Sequence, residues 1–395
     1  MAIDKITTPA IADDAVTNAK VSYNNNQFRN ILINGDMSIA QRGTSSSSVS
    51  TAWYHSVDRF RIALENAGTF TVSQSSDVPT GQGFQKSFKL DCTTADTSLV
   101  SGAINTFEQR IEGQNLVYLK KGTSNAESVT VSFWVKTNKT GTYVFELIDN
   151  DNSRHIAKTF TVDSSSTWEK KTLTFAGDTS GALTYDNSTA MTVRIWLSAG
   201  SSFQGGTLPS SWVSASGSNR AVGQTVNIAD STSNEWYVTG MQLEAGQTAS
   251  EFEFLPTDVN LQRCQRYYQI IADRNQTNGR MAITCGAAIN SANVYGAIQF
   301  VTPMRASATA ISTSVSNAYR FLGDTQPTFD SILPDVTTDR GSRLTNGDSA
   351  SVTAGKAYVF ECELANSTLR YEAELWLIQL QKYMIFFQII LQLTK

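Results

Sequence analysis

Charge is scarce in this chain. Only 17% of its residues are Asp, Glu, Lys or Arg, against roughly 25% in ordinary soluble domains. The 31 basic and 35 acidic residues leave a net charge of −4. No basic stripe stands out, so the electrostatic footprint of a nucleic-acid binder is missing. Histidine is rarer still: His55 and His155 are the only two. The four cysteines, Cys92, Cys264, Cys285 and Cys362, form no CxxC. They read as small, mostly buried hydrophobes made in a reducing compartment, because a zinc site would want tighter Cys/His clusters. The opening "MAIDKITTPAIADDAV" has no apolar core of a secretory signal. No phosphate-cradling loop is present, and "GTSSSS" and "SAGSSFQGG" read as flexible turns. No repeat of 20–50 residues appears, which sets aside a β-helical or other solenoid architecture.

Serine, threonine, asparagine and glycine fill the gap. Such a composition suits short strands joined by polar turns and does not suit long helices. The 395 residues are enough for two or three domains.

The alternation of apolar residues supports an all-β reading over 28–256. "ILINGDMSIAQRG" reads as a strand broken at Asn34-Gly35-Asp36. "SVTVSFWVKT" (128–137) and "GTYVFELIDN" (141–150) lie either side of a short linker and predict a hairpin. Residues 168–177, 191–200 and 233–246 alternate in the same way. Turn signals recur at the intervals of a jelly-roll sandwich. At "PTDVNLQRCQRYYQII" the period becomes helical, so 258–266 reads as a short helix running into a strand. Strands return from 280 to 374, giving a second, smaller β-domain over 257–374.

Both ends stand apart. Residues 1–27 hold "TTPAIADDAVTNAKVS", which has too few apolar residues to fold alone; it is either ordered by a partner or frayed. Residues 375–395 are strongly apolar and nearly long enough to span a bilayer. Lys382 and four glutamines lie inside this stretch and argue against a free transmembrane helix. An oligomer-interior helix, a packing-dependent extension and a membrane segment all stay open.

Several segments, taken in order, carry a resemblance: "NILINGDMSIAQRGTS", "HSVDRFRI", "TFEQRIEGQNLVYLKKGT" with "VTVSFWVKT", "WYVTGMQLEAGQTASEFEFLP", and "CQRYYQII" with "FVTPMRASATA". The chain resembles phage tail-fibre and receptor-binding proteins that carry a carbohydrate-binding-module-like jelly roll, over about residues 28–374. "AIADDAVTNAKV" is similar to segments near the virion-attaching end of such fibres. The resemblance implies a virion protein that is not an enzyme. It further implies a homotrimer, docking to other tail proteins through 1–27, and binding to a host surface glycan or envelope protein. The apolar C-terminus has no counterpart in it.

Candidate chemistry is sparse. Ser56, Asp58 and His55 are neighbours on one strand and point to opposite faces, so they make no triad. Asp58 and Arg59 read as a local ion pair bracing a turn, with Phe60 entering the core. "DNDNSRHIAKT" around His155 looks like a calcium loop but lacks the full ligand pattern, and reads as a polar hairpin turn. No cofactor is expected, except that some carbohydrate-binding jelly rolls hold a structural calcium. Asp36 and Glu244 are the candidate carboxylates here. No Asp/Glu pair marks a glycosidase.

Flat aromatic rings can stack on sugar faces. Trp134, Trp168, Trp196 and Trp236 lie in or beside strands and are expected in the core. Trp53 and Tyr54 precede a strand, and Trp212 sits in the polar loop "SSFQGGTLPSSWVSASGSNR". These three are the candidate ligand contacts, with Trp212 either an anchor folded onto the sandwich or the contact itself.

Overall fold

The computed structural model describes residues 28–274 and 280–375. Expectations for 1–27 and for the apolar stretch beyond Leu375 lie outside them. The fold is all-β, a jelly-roll β-sandwich followed by a second β-domain, with one short α-helix between. No helix among the described residues is long and apolar enough to cross a membrane.

Two six-stranded antiparallel sheets form the sandwich. The first runs β1 (Ser45–Val49), β3 (Thr69–Ser75), β4 (Ser87–Thr94), β12 (Glu235–Ala245), β6 (Val129–Thr137), β9 (Glu169–Phe175). The second runs β11 (Val213–Ser214), β8 (Arg154–Val162), β7 (Gly141–Asp149), β10 (Thr189–Ala199), β5 (Ile104–Glu112), β2 (Arg61–Glu65). Side chains alternate across each strand, so Val131, Phe133 and Val135 of β6 meet Phe145 and Leu147 of β7 and Val193 and Ile195 of β10 in one core. Trp236 is fully buried there, against Phe88 and Phe107.

Three expectations need correcting. The segments 128–137 and 141–150 are not a hairpin. β6 pairs with β9 and β12, β7 with β8 and β10, and the linker carries the chain from one sheet to the other. Alternation tells which face of a strand is buried but not which strand lies beside it. "ILINGDMSIAQRG" is no strand. It is a buried strap tied to β12 by Ile31 N–H to Leu243 O (2.8 Å) and by Met241 N–H to Gly35 O (2.9 Å). Gly35 has no room for a side chain, since a Cβ would lie 2.0 Å from the Met241 carbonyl oxygen. The serines of "GTSSSS" are not a flexible turn but β1, an edge strand held through its backbone on β3.

The helix α1 (Thr257–Gln265) leads into the second domain. A three-stranded sheet there runs β13 (Tyr268–Asp273), β22 (Thr368–Glu372), β16 (Thr309–Ser312). A seven-stranded sheet runs β18 (Thr328–Phe329), β17 (Tyr319–Leu322), β21 (Ala357–Cys362), β14 (Met281–Ala288), β15 (Val294–Gln299), β20 (Gly341–Asn346), β19 (Ile332–Thr337). Its core gathers Phe321, Phe329, Phe360 and Tyr371. Cys92, Cys264 and Cys362 are buried free thiols and Cys285 is an exposed one.

The two domains are joined by a buried charged bracket rather than by apolar packing alone. Arg59, 1% exposed, pairs with Glu374, and its guanidinium lies 3.4 Å from the centre of the Tyr267 ring. It also donates to the Arg110 carbonyl (2.7 Å). Arg266 grips both oxygens of Glu112 (2.8 and 2.7 Å), and the Tyr267 hydroxyl donates to the same carboxylate. Arg42 reaches Glu374 at 3.1 Å and Asp58 and Glu372 at 3.8 Å, and stacks on Tyr268. The local Asp58–Arg59 pair is thus replaced by a long-range one. Asp58 instead accepts from the Gln41 backbone and side chain. Phe60 enters the core as expected, stacked on Phe107 at 4.9 Å.

Candidate functional site

The second sheet has an unusual outer face. On β5, Phe107 and Ile111 point to the core, so Glu108 and Arg110 point away from it. On β10 the outward residues are Thr192, Arg194 and Trp196; on β7 they include Glu146. Strand register sets them side by side. Arg61 opposes Glu108, Glu108 opposes Arg194, and Arg194 opposes Glu146. The result is a row of alternating charge across four strands, the arrangement that favours cross-strand pairs.

These charges are buried because the loop from Gly200 to Val226 folds over them. Ala221, Phe203 and Leu208 of that loop pack on Trp196, Val144 and Ala157. Every oxygen of Glu146 is then used. Oε1 accepts from His155 Nδ1 (2.9 Å) and Arg220 Nε (3.0 Å), while Oε2 accepts from Trp196 Nε1 (3.0 Å) with Arg194 at 3.5 Å. Glu108 Oε1 accepts from Arg194 Nε (2.7 Å) and from Thr106 (2.9 Å). Burial alone would raise these carboxyls. For Glu108 the neighbouring Arg194, Arg61 and Arg110 outweigh it and hold the group at about 2. For Glu146, Arg220, His155 and Arg194 do the same, to about 2. Both are therefore ionised near neutral pH.

Where the covering loop stops, a cleft of about 570 Å³ opens on this face, within the range of ligand sites. Its floor is Thr192 and Arg194 of β10 with Arg110 of β5. One wall is the β7–β8 turn, with Asp149, Asn150, Asp151 and Ser153. The covering loop adds Ser216, Gly217 and Arg220 beside that turn, to which it is tied by Ala215 N–H to Ser153 O (2.7 Å). The second domain closes one end with Arg305, which donates to Asn187 O (3.0 Å) across the domain junction. Asp149 is fully buried and bonded to Lys121; Asp151 is exposed at the lip and accepts from Thr184 N–H (2.8 Å).

The residues proposed from sequence fall elsewhere. Tyr54 is 3% exposed and buried at the domain junction, its hydroxyl donating to Leu375 O (3.4 Å). Trp53 is 37% exposed and bridges Ile62 through its backbone. Trp212 is half-buried against the sandwich core beside the cleft but not in its wall. Its Nε1 donates to Ala176 O (2.8 Å), and Lys121 lies 5.3 Å over its ring. Trp196 and Trp236 are fully buried, whereas Trp134 and Trp168 are half-buried. His155 does not sit in the hairpin turn but follows it, buried on Glu146.

Asp36 and Glu244 are each engaged by hydrogen-bond donors. Asp36 accepts from Ser38 (3.1 Å) and Asn260 (3.1 Å), and Glu244 accepts twice from Ser250 (2.8 and 2.6 Å). No group of three or more His, Cys, Asp or Glu placed to hold a metal ion occurs among the described residues.

This geometry gives Trp212 a structural role. Trp212→Ala is expected to lower unfolding free energy by about 2 kcal/mol in urea titration, roughly half the cost of truncating a fully buried tryptophan. Loss of ligand binding with an unchanged unfolding midpoint would contradict the anchor role.

No protein-family model and no curated protein matches the chain. Among solved structures it is similar to the enzymatically active domain of bacteriophage CBA120 tailspike protein 4, at 11% identity and a TM-score of 0.29. That match covers 55% of this chain and 21% of the tailspike chain. It is also similar to a family 11 carbohydrate-binding module from Clostridium thermocellum in complex with a β-1,3-1,4-mixed-linked tetrasaccharide. There the identity is 10% and the TM-score 0.27, covering 52% of this chain and 99% of the module. The xylan-binding CBM22-1 domain from Paenibacillus barcinonensis Xyn10C gives 12% and 0.24, covering 52% and 94%. At these values nothing about a ligand passes from those proteins to this chain.

Proposed function

We propose that this chain is a structural, non-enzymatic protein of a phage virion, a tail fibre that binds a host surface glycan in the cleft on the second sheet. The carrying observation is the cleft itself: an open groove of about 570 Å³ lined by hydroxyl, amide, carboxylate and guanidinium groups on a sheet floor. Such a lining offers many hydrogen-bond partners to a sugar chain. The segment resemblance along 28–374 supports the phage assignment. In this reading residues 1–27 dock to other tail proteins and three copies assemble, so that weak single sites add up through multivalency.

Gly217 provides the test. It lines the cleft, and a Cβ added there meets no atom within 4 Å. Gly217→Trp should fill the groove while leaving the melting temperature in place. Purified protein should bind host surface polysaccharide, and the variant should bind at least about tenfold more weakly, a change of about 1.4 kcal/mol. Unchanged binding would move the site off the cleft. Absence of binding by the parent protein would favour a connector or decoration protein that packs only on other virion proteins. Release of oligosaccharide fragments would favour a tail enzyme.

A further inference from the structure

Resting on that reading, we infer that the cleft selects a negatively charged glycan, one whose sugars carry carboxylate or phosphate groups, and discriminates against neutral sugar chains.

The charge row beneath the cleft is balanced: Arg61 and Arg194 alternate with Glu108 and Glu146. Three further guanidiniums face the groove. Arg220 adds a second cation to Glu146, which Arg194 already approaches at 3.5 Å. Arg110, 3% exposed, is 4.0 Å from Glu108, its Nε has no hydrogen-bond partner among the described residues, and its guanidinium donates to Leu375 O (2.9 Å). Arg305 spends its donors on the main-chain oxygens of Asn187, Ala373 and Glu374. The acidic lining is weaker. Asp149 pairs with Lys121, which it shares with Asp178 (3.0 Å), itself held by Arg154 (2.8 Å), and Asp151 stands at the lip.

Buried cations short of counter-charge are costly, and an arriving anion relieves that cost. The arginines' own acidities point the same way. Burial, with Arg61 and Arg194 alongside, lowers Arg110 to about 10. Burial and Arg194 lower Arg220, and burial lowers Arg305. Guanidinium is also the side chain whose planar fork fits carboxylate and phosphate oxygens.

Stacking, the usual means of holding a neutral sugar face, is not on offer. No aromatic ring lines the cleft among the described residues. Trp196, the nearest floor aromatic, is fully buried under Phe203 and has Arg194 at 5.4 Å and Arg220 at 5.7 Å from its ring centre. Its face is used to hold guanidiniums rather than sugar.

Titration calorimetry on the full chain tests this with three probes: an oligogalacturonate, a glycerol-phosphate oligomer and a neutral galacto-oligosaccharide of equal length. At least one anionic probe should bind about tenfold tighter than the neutral one, and its affinity should fall as salt rises. Arg220→Gln should weaken that binding by about tenfold. Asp151→Asn, which keeps an acceptor for Thr184, should strengthen it by about threefold. A purely steric effect would weaken both variants. Which anionic probe wins identifies carboxylate or phosphate as the recognised group. Equal binding of the neutral probe, or weakening by Asp151→Asn, overturns the anion selectivity. If the neutral probe binds and Gly217→Trp abolishes it, the cleft remains a glycan site and only the selectivity fails. If no probe of either kind binds, both readings fail.

Discussion

Arg59→Ala is expected to cost about 3–5 kcal/mol of unfolding free energy, the range for removing one partner of a buried ion pair. Arg59 and Glu374 are 1% and 0% exposed at their side chains, so the orphaned carboxylate has no water to turn to. Arg42, at 3.1 Å, is its remaining cation. The Arg110 carbonyl loses a donor and the Tyr267 ring loses its cation in the same step. The backbone at Arg59 holds φ at 71°, a left-handed conformation unfavourable for any non-glycine residue, so alanine keeps that strain and the cost comes from the lost pair. Because the pair spans the two domains, calorimetry should show one transition in the parent protein and two in the variant. Arg59→Met combined with Glu374→Leu should cost well under the sum of the single changes, since neither charge is then stranded. A single-variant cost below about 1 kcal/mol would show that the bracket does not couple the domains.

Glu372 makes the junction sensitive to pH in the opposite sense from most carboxylates. Burial raises its pKa to about 7; Arg42 opposes this at 3.8 Å and Glu374 reinforces it. Its Oε1 is buried without a hydrogen-bond partner. The folded protein therefore holds the proton more tightly than the unfolded chain does, whose glutamates titrate near 4.5. Stability from this group is complete below pH about 4.5 and is lost as pH rises through about 7, by about 3 kcal/mol in all. Glu372→Gln mimics the neutral acid, so it should be more stable than the parent at pH 8 by about that amount and equal to it at pH 4.5. Glu108 and Glu146 act only at lower pH, through their values of about 2. His55, lowered by burial, is common to both proteins and cancels in the difference. A variant-minus-parent difference that stays flat from pH 4.5 to 8 would place Glu372 in contact with water.

The all-β class and the short helix could be read from the sequence. Strands such as Val129–Thr137 and Thr189–Ala199 alternate cleanly, and Asp258 and Arg263 sit at the proper ends of α1. Partnerships could not be read. β6 and β7 are adjacent in the chain yet in opposite sheets, because a local pattern holds no record of which distant strand supplies the hydrogen bonds.

The cleft was missed for a related reason. "TFEQRIEG", "YVFELI" and "VRIWL" place charges at outward positions, and a charged face in an alternating strand normally means water. Here Gly200–Val226 covers that face, and each charge finds its partner on another strand: Glu108 is 86 positions from Arg194. Charges at alternate positions in three separate strands, with opposite signs, were the available signal. Loop aromatics point instead to Tyr54, which packs at the junction, and to Trp212, which bonds to a main-chain oxygen.

The span of the Arg59–Glu374 bracket, 315 positions, also bears on how the molecule is made. A ribosome releases Arg59 early and Glu374 more than three hundred residues later. Until then the sandwich can close its own core while Arg59 waits without its counter-ion. A chain released early, at 373 or before, never acquires that ion. The bracket therefore closes only once both halves of the chain exist, and a chain that ends before Glu374 keeps Arg59 without this counter-ion.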